Sequence, residues 1–292
     1  MSTLSDAMKT AKQRTLRVVF PEKDDKRVQK ASKKIEELNI ARPIFLDEVP
    51  PNDIMVDALC KRRPKISRTS AAKLLNRPLY HAAAIVASGY ADTMVAGAVF
   101  PTRKIVEATS LVIGVLDGIK TPSSFFLMIF PNGQEFIFSD CALNINPNSQ
   151  ELKDIASASI ATAQQLFSKT CVAMLSYSTG KSGVGPTVDV VTEATNKMSD
   201  LDVPIIGPVQ VDAALDLEIA TKKGLKNTQK PNVLIFPSLD AGNIGYKLCR
   251  ELAGAEAIGP ILQGYLKPVC DLSRGATIQE IIAGTTIALA LA

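Results

Sequence analysis

The sequence predicts an α/β protein with mainly parallel sheets, divided into two domains. Three observations carry that expectation. Apolar runs of strand length alternate with longer segments of helical periodicity along the 292 residues, the βαβα order that buries a parallel sheet between helices. At 46% hydrophobic the chain fills a large core, and it is too long for one small domain. The polar stretch NINPNSQ at 144–150 interrupts the alternation. It places one domain at 1–143, rejoined by 264–292 after a return near Gly264, and a second at 144–263.

LRVVF at 16–20 reads as the first strand, followed by a lysine-rich helix with Val28, Ala31, Ile35 and Leu38 at helical spacing. PIFL at 43–46 is the second strand. Two or three helices follow, punctuated by Pro64 and Pro78, and the alanine-rich segment 79–88 stops at Gly89, a residue suited to a helix C-cap. TMVAG at 93–97 is the third strand. SFFLMIF and EFIFSD, separated by Pro131, Asn132 and Gly133, are the clearest hairpin signal. A long helix at 150–167, the strand CVAMLS, a glycine-rich loop at 176–187 and a helix from Val188 come next. The strand PIIG, a helix from Val211, the strand VLIF, a helix from Ala241, the strand AIGPIL and a helix starting near Thr277 complete the chain.

Composition narrows the function classes. Net charge is +4, much of it on the lysine-rich stretch 23–34, which reads as a solvated helix face. Aromatics make up 5% and Trp is absent, so neither base-stacking platforms nor a nucleic-acid partner is expected. The five cysteines show no paired spacing and His81 stands alone, so no metal site is expected; four of the thiols lie in apolar runs and read as buried and reduced. A reducing, cytoplasmic setting follows from that reading. No uninterrupted apolar stretch of about 18 residues occurs, and the start of the chain has no apolar region of signal length, so no membrane partner is expected.

Two stretches draw attention as chemistry. The apolar run 233–236 ends at Pro237 and opens into SLDAGN, and the apolar VCD leads into Ser273-Arg274-Gly275. Polar loops beyond strand carboxyl ends are where open α/β sheets bind ligands. The loop at 176–187 fails the P-loop pattern, because Leu175 stands where a glycine is needed, and fails G-x-G-x-x-G at Val188. It retains Ser178, Thr179, Lys181 and Ser182 close to a helix start, a set that suits either a phosphate or an ordinary helix cap. With His81 the lone histidine, Ser273 is not the nucleophile of a Ser-His-Asp triad. Arg274 suits a phosphate or carboxylate, or a salt bridge to Asp271. Thr277 and Glu280 have the spacing of a capping box, so Glu280 is either a helix-start residue or a base.

At these residues the chain resembles the phosphate acetyltransferases (phosphotransacetylases) and phosphate butyryltransferases. The likeness runs through FPEKDDKRVQKA, SGYADTMVAGAV, SDCALNINPNSQELKDIA, AMLSYSTGKS, PVQVDAAL, FPSLDAGNIGYK, IGPILQG and PVCDLSRG. It implies two α/β domains around a cleft, like isocitrate and isopropylmalate dehydrogenases, paired as a homodimer. It implies acetyl phosphate + coenzyme A ⇌ acetyl-CoA + phosphate, with coenzyme A as substrate and no metal or cofactor. The thiolate attacks the acyl carbonyl directly in a ternary complex. The resemblance places Ser273 and Arg274 at the transition state and makes Glu280 the base. Ser178, Thr179, Lys181, Ser182 and the turn at Gly242 and Asn243 would line the cleft and hold phosphate or pantetheine.

Three departures from the family pattern bear on specificity. Glu280 stands where an aspartate is usual. Glu107 stands where an arginine is usual, with Arg103 one turn earlier as a substitute for substrate binding. The loop reads Ser178-Thr179-Gly180-Lys181-Ser182 rather than S-T-K-G-S. They keep two alternatives open: transfer of another short acyl group, propionyl or butyryl, and a weakly catalytic paralogue that binds acyl-CoA or acyl phosphate.

Overall fold

The computed structural model describes residues 2–225 and 229–292. These group into two compact units, Met1–Gly118 with Ile258–Ala292, and Ile119–Ala257. The chain begins with α1 (Thr3–Arg14), β1 (Arg17–Phe20), α2 (Lys26–Glu37), β2 (Arg42–Phe45), α3 (Asp53–Arg62), α4 (Arg68–Leu75), α5 (Pro78–Ala87), β3 (Thr93–Ala96) and α6 (Thr102–Ala108). It continues with β4 (Ser123–Ile129), β5 (Glu135–Ser139), α7 (Ser149–Leu166), β6 (Val172–Leu175), α8 (Pro186–Asn196), β7 (Ile205–Val209), α9 (Val211–Leu215), α10 (Leu217–Lys222), β8 (Val233–Ile235) and α11 (Leu239–Ala253). It then returns through β9 (Glu256–Gln263), β10 (Val269–Asp271) and α12 (Ile278–Ala290).

In the first unit the strand order is β2-β1-β3-β10-β9, with only the β10–β9 contact antiparallel. Val18, Val19 and Phe20 are fully buried, as expected of a strand covered by helices on both faces. On α2, Val28, Ala31 and Ile35 point inward while the lysines stay exposed. Asp25 caps α2 by accepting from the amides of Arg27 and Val28. Leu38 falls just past the helix as its C-cap and is only half-buried.

In the second unit the order is β4-β5-β8-β6-β7, parallel except for the β4–β5 hairpin. Hairpin register pairs Phe126 with Phe138 and Met128 with Phe136, so one face of both strands is aromatic core. Tyr246 stacks on Phe126 at a centroid distance of 4.1 Å. Asn148 and Glu151 form a capping box that starts α7 where the polar NINPNSQ stretch ends.

The bounds of the compact units differ from the expected 1–143, 264–292 and 144–263. The hairpin belongs with the second unit because β5 pairs in parallel with β8, and NINPNSQ is a turn within that unit rather than its edge. Three cysteines are buried, Cys141, Cys171 and Cys270; Cys60 and Cys249 are half-buried, fewer buried thiols than apolar flanks suggested. His81 is buried with its Nε2 at 2.8 Å from the Val49 carbonyl, and burial lowers its pKa. Among the described residues no helix is long and apolar enough to cross a membrane.

Candidate active site

In the first unit the loops after β1, β3 and β10 converge, because those strands are adjacent and parallel and so end on the same edge. The Ser273–Arg274 turn leaves the end of β10. Its geometry is local: the Ala276 amide donates to the Ser273 carbonyl at 2.9 Å, and Ser273 Oγ accepts from the Gly275 amide at 3.3 Å. Thr277 then caps α12. Its Oγ1 accepts from the Glu280 amide at 3.2 Å, and Glu280 Oε2 accepts from the Thr277 amide at 2.7 Å. The capping box is thus real, and it leaves Glu280 Oε1 outside the box.

The turn is held from behind. Arg27 Nη1 donates to the carbonyls of Arg274 (2.7 Å) and Ala276 (3.1 Å), and its Nη2 donates to the Ala98 carbonyl at 3.0 Å. Arg27 is itself oriented by Asp25, 2.7 Å from Nη2, and the hydrogen bond from Arg27 is the main reason the Asp25 pKa is lowered. Glu22 is 6% exposed and gathers the amides of the loop after β3: Gly97, Ala98, Val99 and Phe100 all donate to it at 2.8–3.2 Å. One carboxylate thereby organises four consecutive amides, and one guanidinium ties that loop to the Ser273–Arg274 turn.

Gly97 lies where β3 and β10 end side by side. It has φ +115°, and a Cβ there would stand 2.3 Å from the Leu272 carbonyl oxygen. Both conformation and space exclude a side chain. Gly97→Ala is expected to cost at least about 2 kcal/mol and to pry the two strand ends apart; urea denaturation checks it, and a loss below about 0.5 kcal/mol would show that the contact is soft.

Arg274 is exposed, and among the described residues its guanidinium enters no hydrogen bond or ion pair. The salt bridge to Asp271 does not form. Asp271 is 1% exposed and neither of its oxygens makes a hydrogen bond of full geometry, although Thr102 stands close enough to temper its pKa. Burial, with Glu22 adding to it, raises the Asp271 pKa to about 7. On α6, Arg103 is exposed on the same face as Glu107. Glu107 is neutralised locally: Tyr80 donates its hydroxyl to Oε1 and Lys104 reaches Oε2 at 3.0 Å. These contacts, the Tyr80 bond first, lower its pKa, and Arg103 adds to the effect. The negative charge at this departure therefore sits in a basic neighbourhood.

In the second unit the glycine loop leaves β6. Ser178 is fully buried, and its Oγ accepts from the Gly183 amide at 2.8 Å; Ser182 Oγ accepts from the Thr179 amide at 2.9 Å, and Thr179 Oγ1 accepts from the Gln210 amide at 3.1 Å. These three hydroxyls fold the loop onto itself. Lys181 stands exposed at its tip. Tyr177 braces the loop, donating to the Val184 carbonyl at 2.9 Å across the ring positions that Gly183 and Gly185 leave open.

Gly242 and Asn243 lie in a helix, as the helix expected from Ala241 has them, and not in the turn that the resemblance implied. They lie in the first turns of α11, which starts at Leu239 because Ser238 caps it by accepting from the Ala241 amide. Both make close contacts there. A Cβ on Gly242 would meet the Asp140 carbonyl oxygen at 2.2 Å, and Asn243 donates to the Cys141 carbonyl at 3.0 Å. Asp140, in turn, collects the amides of Ala142, Leu143 and Asn144 and the Ser124 hydroxyl.

Each unit thus presents polar loops at the carboxyl ends of parallel strands, with an exposed cation on each, Arg274 in one and Lys181 in the other, neither paired among the described residues. That is the layout of an α/β protein that binds anionic small molecules at its strand ends. The family model described as phosphate acetyl/butaryl transferase matches residues 50–290, and the chain belongs to that family. It is similar to the phosphate acetyltransferase of Clostridium acetobutylicum, 44% identical over 220 residues, which are 72% of this chain and 66% of that one. It is similar to the phosphate acetyltransferase of Acetivibrio thermocellus, 36% identical over 322 residues, covering 98% of this chain and 97% of that one. Among solved structures, a phosphotransacetylase from Streptococcus pyogenes matches with a TM-score of 0.91 at 33% identity, covering 99% and 97% of the two chains. The chain spans 43–66% of the length of some curated relatives it matches and 97% of others.

Proposed function

We propose that the protein is a phosphate acetyltransferase that interconverts acetyl phosphate and coenzyme A with acetyl-CoA and phosphate. The observation that carries this reading, beyond family membership, is the exposed guanidinium of Arg274, free of ion pairs on a turn clamped from behind by Arg27. Glu280 takes the proton of the coenzyme A thiol, which at a pKa of about 8.5 is mostly protonated at neutral pH. The thiolate attacks the acyl carbonyl, and the C–O bond to phosphate breaks as the tetrahedral intermediate collapses. Arg274 and Ser273 stabilise the oxyanion and the departing phosphate, and the proton on Glu280 passes to phosphate or solvent. Lys181 and Ser182, with Arg103, bind the anionic parts of the substrates; Ser178 and Thr179 shape the loop that carries them. Coenzyme A is a substrate, and the reaction draws on no resident cofactor or metal. The resemblance further supports a homodimer in the cytoplasm.

Transfer of propionyl or butyryl groups is the second reading, kept open by the departures at Glu107, Glu280 and the 178–182 loop. A weakly catalytic acyl-CoA- or acyl-phosphate-binding protein is the third. A thiol-coupled assay with acetyl, propionyl and butyryl phosphate, with arsenolysis as a check, separates them; no turnover of any would leave the binding reading. Glu280→Gln tests the base. Glutamine still completes the capping box, so stability should hold to within about 0.5 kcal/mol. Meanwhile kcat/KM should fall about 10²–10⁴-fold. Near-wild-type turnover would make Glu280 a cap only.

A further inference from the structure

Asp271 is the most anomalous polar group in the first unit. It ends β10, two residues before Ser273, and is 1% exposed with both oxygens lacking a fully formed hydrogen bond. Its surroundings disfavour charge. Glu22 faces it from the turn after β1 and already uses its oxygens on four amides. The loop after β3 brings only backbone, with Gly97 so close that a Cβ would stand 2.8 Å from Asp271 Oδ1. Thr102 approaches from α6 with a neutral hydroxyl. On its own strand Cys270 is buried against Gly284 of α12, and burial holds that thiol far above its ordinary pKa. Arg27 feels Glu22, but its guanidinium is committed to Asp25 and three carbonyls.

We propose that Asp271 is a positioning residue that carries a proton in the native fold. In its neutral form it seats the Ser273–Arg274 turn against the loop after β3, and its ionisation beside Glu22 unseats that turn. A buried carboxyl group without hydrogen-bond donors keeps its proton in this way. If the protein transfers acyl groups as proposed above, the ionisation of Asp271 sets the upper pH limit of that activity.

The consequence for stability has a definite sign. The folded-state pKa of about 7 lies above the ordinary 3.8, so the native state holds the extra proton between those values. Wild-type stability, measured against Asp271→Asn, therefore falls as pH rises through that window and levels off above about 7. The fall approaches tenfold in the folding constant per pH unit.

The test uses the full chain with carboxyl-¹³C aspartate and ¹⁵N backbone labels, titrated from about pH 5 to 9. The Asp271 carboxyl is expected to titrate near neutrality, with the amides of Gly97, Ser273, Arg274 and Gly275 moving at the same midpoint. Wild-type kcat/KM for acetyl phosphate should fall about tenfold per pH unit above that midpoint, and Asp271→Asn should remove this descending limb. An Asp271 carboxyl ionised at the ordinary midpoint overturns the proposal. So do turn amides that fail to follow it, or a variant that keeps the same limb. The titration needs no substitution, so a poorly folding variant does not block it. If no acyl phosphate is turned over at any pH, the proposed activity fails, while the carboxyl and amide titrations still decide whether Asp271 seats the turn.

Discussion

Arg274→Ala is expected to lower kcat at least a hundredfold while leaving the fold intact. Removing one preorganised donor from a developing oxyanion costs about 10²–10³ in rate, or about 2.7–4 kcal/mol, and Arg274 faces both the oxyanion and the leaving phosphate in the proposed reaction. The fold should not notice. The side chain is exposed, and the contact that holds the turn runs from Arg27 to the backbone carbonyl of Arg274, which alanine retains. Stability should therefore stay within about 0.5 kcal/mol of wild type by urea denaturation. Arg274→Lys should recover only part of the rate, because lysine keeps the charge but not the planar fork. Near-normal turnover of the alanine variant would remove Arg274 from the reaction.

Glu22→Ala should have the largest effect on stability, a loss of about 3–5 kcal/mol. The carboxylate accepts from the amides of Gly97, Ala98, Val99 and Phe100. Without it the amides of Gly97 and Ala98 are left buried and unpaired, each costing about 1–3 kcal/mol. Those of Val99 and Phe100 lie nearer solvent and find water. Glu22→Gln keeps the shape and one carbonyl oxygen, so its loss should be about half as large. Chemical denaturation of both variants gives the comparison, and a loss below about 1 kcal/mol for Glu22→Ala would mean that the loop after β3 holds itself. Removing Glu22 also removes a repulsive charge from Asp271 and should bring its pKa down from about 7.

The sheet strands were legible because each is a short apolar run between punctuating residues, and β1, β3, β6 and β8 are fully buried or nearly so. The hairpin was legible from Pro131-Asn132-Gly133, and Thr277–Glu280 from its spacing. The site was legible only in part, and for a physical reason. Side chains that act outward, such as Arg274 and Lys181, belong to motifs that local sequence displays. Groups that hold loops in place act across long sequence distances. Glu22 binds amides 75–78 residues away, and Arg27 reaches carbonyls 247 and 249 residues away. Nothing in FPEKDDKRVQKA marks those partners. Gly242 and Asn243 were read two ways, as part of a helix from Ala241 and, through the resemblance, as a turn; the Ser238 cap starts the helix at Leu239 and so includes both. Asp271 looked like a partner for Arg274 because they are neighbours in sequence, yet a strand end points one side chain inward and the following turn releases the other outward.

The first unit is assembled from segments made at opposite times. During synthesis β1, β2 and β3 emerge early, and the strand that completes their sheet, β10, emerges only after the whole second unit. Until then the open edge of β3 carries unpaired backbone groups, and Glu22 can gather the loop after β3 but Arg27 has no turn to hold. The second unit, continuous in sequence, has every strand it needs before residue 258. A ribosome-bound chain should therefore acquire protease resistance in its middle before its beginning. The turn bearing Ser273 and Arg274 would then be among the last parts to lock, together with the completion of the first sheet.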